Sequence, residues 1–323
     1  MIKEPTVFIL GAGASYPYGY PTGQELRQQI CSSFVEDRNN YLSRNKLIDP
    51  HIALTLRNAE GFAQTFYNSS TKSIDLFLSR NPEVMLLGKW AIIFRLFAAE
   101  RNSHFREHMT QNRNQDWYSY LFNKLTDVLV RTSDYSRFSE NNLSIITFNY
   151  DRSLEHFLYE SIVHSFASIQ REHLKEQLNK LGFIHIFGTL SGLEWQDISG
   201  NLEYGSNINL INVPRVVENL SIIYEEKENP KLDEAHDLIR KAKRIFFLGF
   251  GYAKENLEAF NIAQILSEEQ EIYGTALGFT SREIQEVQNI FLEAIRSKGI
   301  HGTVRNDIMI EDLDCLGLLR KYL

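Results

Sequence analysis

The apolar run Thr6-Val7-Phe8-Ile9-Leu10 leads at once into Gly11-Ala12-Gly13-Ala14-Ser15, and after Tyr20-Pro21-Thr22-Gly23 a helical pattern begins at Gln24. Strand, glycine turn and helix start, in that order, let backbone N–H groups approach a diphosphate with no Cβ in the way, beside the positive end of a helix. The order predicts a dinucleotide-binding α/β unit. The fingerprint is incomplete, because Tyr16 stands where a further glycine belongs, and many strand-to-helix turns use glycine for geometry alone.

A chain of 323 residues that is 43% hydrophobic can bury one large core or two smaller ones. No apolar stretch is long enough to span a bilayer, and Met1-Ile2-Lys3-Glu4-Pro5 has no signal-peptide character, so a cytoplasmic protein without membrane contact is expected. The two cysteines, Cys31 and Cys315, are too few for a disulfide framework or a Cys-x-x-Cys zinc ribbon and read as small core side chains. A net charge of −7, with acidic and basic residues interspersed, supplies no basic stripe and argues against direct nucleic-acid binding.

Periodicity divides the chain. Residues 36–139 carry helical patterns and no convincing strand. Their clearest pieces are Glu83–Glu100, with Val84, Leu87, Trp90, Ala91, Phe94 and Phe97 on one face, and Asp116–Arg131, with Trp117, Tyr120, Leu121, Leu125, Val128 and Leu129 on another. After residue 140 the pattern alternates: strands Leu143–Thr147, Phe183–Phe187, Arg244–Leu248 and Glu271–Leu277, helices Asp151–Ile162, Asp233–Ala242, Glu255–Ile265 and Ser281–Ile295, then a short strand and helix within Gly302–Leu323. The expected fold is α/β, a Rossmann-like parallel sheet with helices on both faces. Residues 1–35 and 140–323 form its nucleotide-binding domain and 36–139 a large helical insertion. In such sheets ligands bind beyond the carboxyl ends of the strands. There the sequence places Phe148-Asn149-Tyr150-Asp151, Gly188-Thr189, Gly249-Phe250-Gly251-Tyr252 and Gly278-Phe279-Thr280, glycines and compact polar groups suited to a crevice.

Five motifs in order carry a family resemblance: the glycine turn with Tyr20-Pro21-Thr22-Gly23, Ser73-Ile74-Asp75-Leu76-Phe77-Leu78, Thr147-Phe148-Asn149-Tyr150-Asp151, Ile184-His185-Ile186-Phe187-Gly188, and Phe247-Leu248-Gly249-Phe250-Gly251. Through most of its length the chain resembles the sirtuin-like NAD-consuming proteins, and among them the bacterial NAD-hydrolysing effectors of anti-phage defence. That resemblance implies NAD+ as substrate, cleaved to nicotinamide and ADP-ribose with no metal. It implies Asn149 positioning water or ribose and a base on the histidine strand, here His185. Gly11, Ala12, Gly13, Ala14, Ser15, Thr22, Thr147, Asp151, Gly188, Gly249, Phe250, Gly251 and Asn256 would hold the dinucleotide. A toxic hydrolase needs control, which implies a homo-oligomer or a sensor or ATPase partner, and the apolar faces of the helical insertion are a candidate surface for such assembly.

The chemistry agrees with that pairing, since the leaving nicotinamide is already cationic and the protein has only to exclude bulk water and orient one nucleophile. An amide and a neutral imidazole suffice. The family pattern, however, places a histidine directly before the glycine, where this chain has Phe187. On a strand, residues two apart share a face, so His185 and Phe187 are expected to face the crevice together, with His185 about 6 to 7 Å deeper. Alternatively, His185 is a core histidine held by a backbone carbonyl, and the protein binds NAD or an ADP-ribose-type nucleotide as a sensor without turnover. Asn149 also reads as a turn residue ahead of a helix capped by Asp151, Asp75 as part of a helix cap, and Tyr16, Tyr18 and Tyr20 as either a lid or a cover for the sheet. A protein deacylase would need the four-cysteine ribbon the chain lacks. His104-Phe105-Arg106-Glu107-His108 has the H-x-x-E-H spacing of a zinc site, but polar neighbours suggest an exposed helix end.

Overall fold

The structure is a computed structural model that describes residues 1–45, 48–103, 115–196, 201–207, 213–223, 225, 229–296 and 308–323. Its first strand, β1 (Thr6–Leu10), is buried at all five positions. A strand with no polar face needs cover on both sides, and it lies at the middle of a sheet. β2 (Leu143–Thr147) pairs with it in parallel on one side, Ile145 opposite Phe8. On the other side runs a strand spanning Arg244–Leu248, with Phe246 opposite Phe8. β3 (Phe183–His185) extends the β2 side, so the Arg244–Leu248 strand is β4, followed outward by β5 (Glu271–Thr275) and β6 (Ile308–Glu311). The order is β3-β2-β1-β4-β5-β6, every pairing parallel, which is the expected Rossmann-like α/β class. The chain steps out from β1 to β3 and returns to β4, so the connections diverge between β1 and β4 and leave a crevice at their carboxyl ends.

Alternation along the strands sorts the interior into two cores. Phe8, Leu10, Leu143, Ile145, Phe246 and Leu248 face one core, completed by Phe34, Phe62, Phe66, Trp90, Phe94, Phe97, Trp117 and Tyr118 from the helices between β1 and β2. Val7, Ile9, Ile146, Ile245, Phe247 and Ile272 face the other, completed by Ala235, Ile239, Leu257, Phe260, Phe291 and Ile295. The helical segment therefore shares its apolar side chains with one face of the sheet. Helix Gly23–Arg44 runs unbroken through residues 35 and 36, where the domain boundary was expected.

Several elements differ from the sequence expectation. The helix expected over Glu83–Glu100 runs Met85–Arg101 and is buried on nearly all sides between Leu87 and Phe97, not along one stripe. A helix buried on nearly all sides, with its buried charges Lys89 and Glu100 paired, belongs inside a core, which leaves little of this face for assembly. The helix expected over Asp116–Arg131 stops at Thr126, and Val128 is exposed. The helix expected over Glu255–Ile265 is split into Lys254–Ala259 and Ile262–Ile265 by Asn261 in the left-handed region, φ 50°. β3 ends at His185, two residues early, and this shortening changes the site. Among the described residues, no helix is long and apolar enough to cross a membrane.

Candidate active site

A cavity of about 590 Å³ opens at the carboxyl ends of β1 and β4, within the range of small-molecule sites. Of the residues the sequence singled out, Gly11, Ala12, Gly13, Thr22, Asn149, Asp151, Gly249, Phe250, Gly251 and Asn256 line it; Ala14, Ser15, Thr147, His185 and Gly188 do not. The glycines have a reason other than phosphate. Gly11 N–H donates to the Leu248 carbonyl at 3.0 Å and Gly13 N–H to the Gly249 carbonyl at 2.9 Å, so the turns after β1 and β4 lie in contact. A Cβ on Gly249 (φ +58°) would sit 1.9 Å from the Ala14 nitrogen, and one on Gly13 would sit 2.9 Å from Gly249. These glycines let two strand ends touch, and the N–H groups of Gly11 and Gly13 are spent on that contact.

The helix after the turn is one turn long, Ala12–Ser15; a 3-10 turn, Tyr16–Tyr18, follows it. The long helix starts at Gly23 behind a closed capping box, in which Thr22 Oγ1 accepts from Glu25 N and the Glu25 carboxylate accepts from Thr22 N at 3.0 Å. Its N-terminus borders the cavity with its cap already filled.

Asn149 stands just beyond β2. Its Nδ2 donates to the Gly11 carbonyl at 3.0 Å and to Ser15 Oγ at 3.1 Å, and its backbone N–H donates to Thr147 Oγ1 at 3.0 Å. With the amine end tied to the wall, the carboxamide presents its oxygen as the group left for a ligand. Ser15 in turn donates to Asp151 Oδ2 at 2.7 Å, and Asp151 also accepts from the Ser153 N–H at 3.1 Å and hydroxyl. Burial raises the Asp151 carboxyl above its ordinary range, against the pull of these hydroxyl donors. Ser15 and Thr147, expected to touch the dinucleotide, instead hold the residues that border the cavity. Ala14 likewise accepts from the Trp117 indole at 2.8 Å. Gly188 (φ +87°) serves a close approach, a Cβ there lying 1.8 Å from the Asn219 carbonyl.

His185 is not beside the cavity. Its Nδ1 lies 3.0 Å from the Asn149 carbonyl and its Nε2 2.6 Å from Glu155 Oε1 on helix Ser153–Ser165. A backbone carbonyl and a carboxylate are both acceptors, so both ring nitrogens are engaged and the protonated ring is favoured. Burial opposes that charge, but the Glu155 carboxylate and the Asn149 carbonyl outweigh it and raise the His185 pKa. With both nitrogens engaged, the ring has none free to take a proton from a ligand. The shared face expected for His185 and Phe187 fails because β3 ends at His185: Ile186 and Phe187 lie in a turn, and both pack into the core on the other side of the sheet. Phe187 is the one that reaches the cavity, edge-on to Phe148 with centroids 5.6 Å apart. Phe148 also meets Phe250 edge-on at 5.0 Å, so one wall is aromatic.

Asp75 also lines the cavity, and sequence reading had placed it in a cap. The cap is Ser73, whose Oγ accepts from Leu76 N at 3.2 Å. Asp75, at the second position of helix Ile74–Arg80, keeps part of its surface open to the cavity although protein surrounds it. Burial pushes its carboxyl up to about 6, and the hydroxyl of Tyr150, next to Asn149, pulls the other way. The three tyrosines divide their roles. Tyr16 is half exposed at the cavity mouth, Tyr18 is buried and donates to Asp116 at 3.0 Å, and Tyr20 lines the cavity with its hydroxyl 2.6 Å from that of Tyr204.

Among the described residues, no group of three or more His, Cys, Asp and Glu side chains is placed to hold a metal ion, and His104 to His108 lie outside those residues. No protein-family model and no curated protein matches the chain. Among solved structures it is similar to a Sir2 in complex with the inhibitor EX-527, 2'-O-acetyl-ADP-ribose and a deacetylated p53 peptide, at 12% identity and a TM-score of 0.36, over 98% of this chain and 91% of that one.

Proposed function

We propose that the chain is an NAD+ glycohydrolase that releases nicotinamide and ADP-ribose at the cavity between β1 and β4. The observation that carries this reading is the tethered carboxamide of Asn149, held through Nδ2 by Gly11 and Ser15 at the edge of a cavity large enough for a small-molecule substrate. A fixed amide oxygen beside an aromatic wall suits a reaction in which a cationic base leaves a ribose carbon: the wall excludes bulk water, and the oxygen orients a hydroxyl or a water toward the positive centre. The five motifs shared in order with sirtuin-like NAD-consuming proteins support the same substrate. In a cell such an enzyme would deplete NAD+ under the control of a partner or of its own assembly, the role in anti-phage defence that the resemblance implies.

Phe187 and His185 favour a second reading, a nucleotide sensor without turnover. An aromatic ring lines the cavity where the family pattern has a histidine, and the nearby histidine has both ring nitrogens engaged by the protein. Incubating the purified chain with NAD+ and following free nicotinamide separates the two readings. Steady release that Asn149→Ala abolishes is the expected result; ADP-ribose binding without any release would establish the sensor.

A further inference from the structure

If His185 is locked, hydrolysis needs another group to take the proton of the attacking water. Among the described residues, four carboxyl residues line the cavity. Asp151 is occupied by Ser15 and Ser153, and Asp314 caps the last helix, accepting from Gly317 N at 2.7 Å. Glu255 lies in the first turn of helix Lys254–Ala259, on the β4 side. Asp75 differs from all three: it borders the cavity from the helical segment, and besides its own backbone N–H its carboxyl meets Tyr150, the neighbour of Asn149.

We propose that Asp75 is the proton acceptor of the hydrolytic step, taking the place that histidine holds in the family pattern. The proposal rests on the NAD+ hydrolase reading above. In this step the water oxygen bonds to the ribose carbon, the bond from that carbon to nicotinamide breaks and its electron pair leaves with a now neutral nicotinamide, and the water proton passes to Asp75. Proton and charge balance without a metal or another reactant.

The surroundings suit the task. Tyr150 Oη lies 3.0 Å from the Ser221 carbonyl, so its single proton has two acceptors within reach. With Asp75 ionised, the hydroxyl turns to the carboxylate; with Asp75 protonated, the acid donates to the Tyr150 oxygen and the phenolic proton goes to Ser221. One hydroxyl serves both states with no heavy atom displaced. Among the described residues, no cation contributes to the Asp75 shift, and on the neighbouring helix Met85–Arg101 Lys89 is paired with Glu225 at 2.6 Å and Arg95 with Asp37. Glu225 acts on Tyr150 instead. Without a cation, burial dominates and the carboxyl titrates near 6, closer to neutrality than an ordinary aspartate and so a better match for proton transfer at neutral pH.

The test is the pH profile of nicotinamide release by the full chain from pH 4.5 to 8.5, with ADP-ribose binding measured by calorimetry alongside. The wild type should lose kcat/KM below a midpoint near 6. Asp75→Asn should lower kcat by about 10²- to 10⁴-fold and abolish that acid limb, with ADP-ribose affinity within about threefold. Tyr150→Phe, which keeps the carboxyl and removes its donor, should move the midpoint upward. A wild-type profile without the limb, Asp75→Asn with wild-type kcat, or Tyr150→Phe with an unmoved midpoint would each overturn the proposal and leave the hydrolase reading intact. A wild type that binds ADP-ribose yet releases no nicotinamide at any pH would overturn the hydrolase reading itself.

Discussion

Two titratable side chains lie near the strand ends that border the cavity, His185 against the Asn149 carbonyl and Asp75 beside Tyr150, and the structure treats them in opposite ways. His185 approaches from β3 and has acceptors on both ring nitrogens, a charge made and neutralised inside the protein. Asp75 comes from the helical segment, is held by its own backbone N–H and the Tyr150 hydroxyl and by no charged group, and keeps an open side toward the cavity. Burial acts on both, but only at Asp75 is nothing charged supplied to answer it. A closed ion pair fixes the backbone of its neighbour, while a carboxyl with room left over can exchange a proton with a ligand. Arg152 and Glu100 repeat the closed arrangement nearby, joined at 2.7 Å with Arg152 also donating to the carbonyls of Gly192 and Glu203.

The largest test of this contrast is His185→Ala. It should destabilise the fold by about 3 to 5 kcal/mol in denaturant unfolding, because Glu155 stays buried without its partner. A His185→Ala protein that unfolds like the wild type but cleaves no NAD+ would restore the histidine as the base. Asn149→Ala should act in the opposite manner: nicotinamide release should fall by about 10²- to 10³-fold for loss of an orienting group, while stability drops by about 1 kcal/mol for the lost hydrogen bonds to Gly11 and Ser15. A large stability loss with activity in proportion to folded protein would make Asn149 a structural residue.

A smaller effect follows from the sign of the His185 shift. Its folded pKa is raised, so the stabilisation from protonated His185 is fully present below its unfolded value and is lost as pH rises through the folded one. The stability of the wild type relative to Glu155→Gln should therefore be greatest in mildly acidic buffer and shrink above neutrality, as read from thermal midpoints between pH 5 and 9. A constant difference would mean that the imidazole is neutral in the folded protein. The smallest effect is expected at the rim of the cavity, where Thr22→Ala opens the capping box of helix Gly23–Arg44 and should cost about 1 kcal/mol with little change in NAD+ cleavage.

The strands, though not their order, could be placed from the sequence because buried parallel strands are continuous apolar runs and the strand-end glycines are local signals; Thr6–Leu10, Leu143–Thr147 and Arg244–Leu248 stand where periodicity placed them. The place of Asn149 just past a strand was legible for the same reason, while its role was read only from the motif around it. The early end of β3 was not, since Phe183 to Phe187 reads equally well as five residues of strand, and only the turn at Ile186 reveals that His185 and Phe187 belong to opposite faces. Asp75 was masked by its neighbour, because a serine two residues before an acid at a helix start satisfies the local capping pattern wherever that acid points. Sequence alone determined the class of the fold and the strand end at which a ligand site opens, since these depend on hydrophobic period and on residues close along the chain. Only tertiary structure decided which titratable group is closed off and which is left open, because the partners of His185 and Asp75, Glu155 and Tyr150, stand thirty and seventy-five positions away and the burial of Asp75 comes from packing, and no local pattern encodes such a distance.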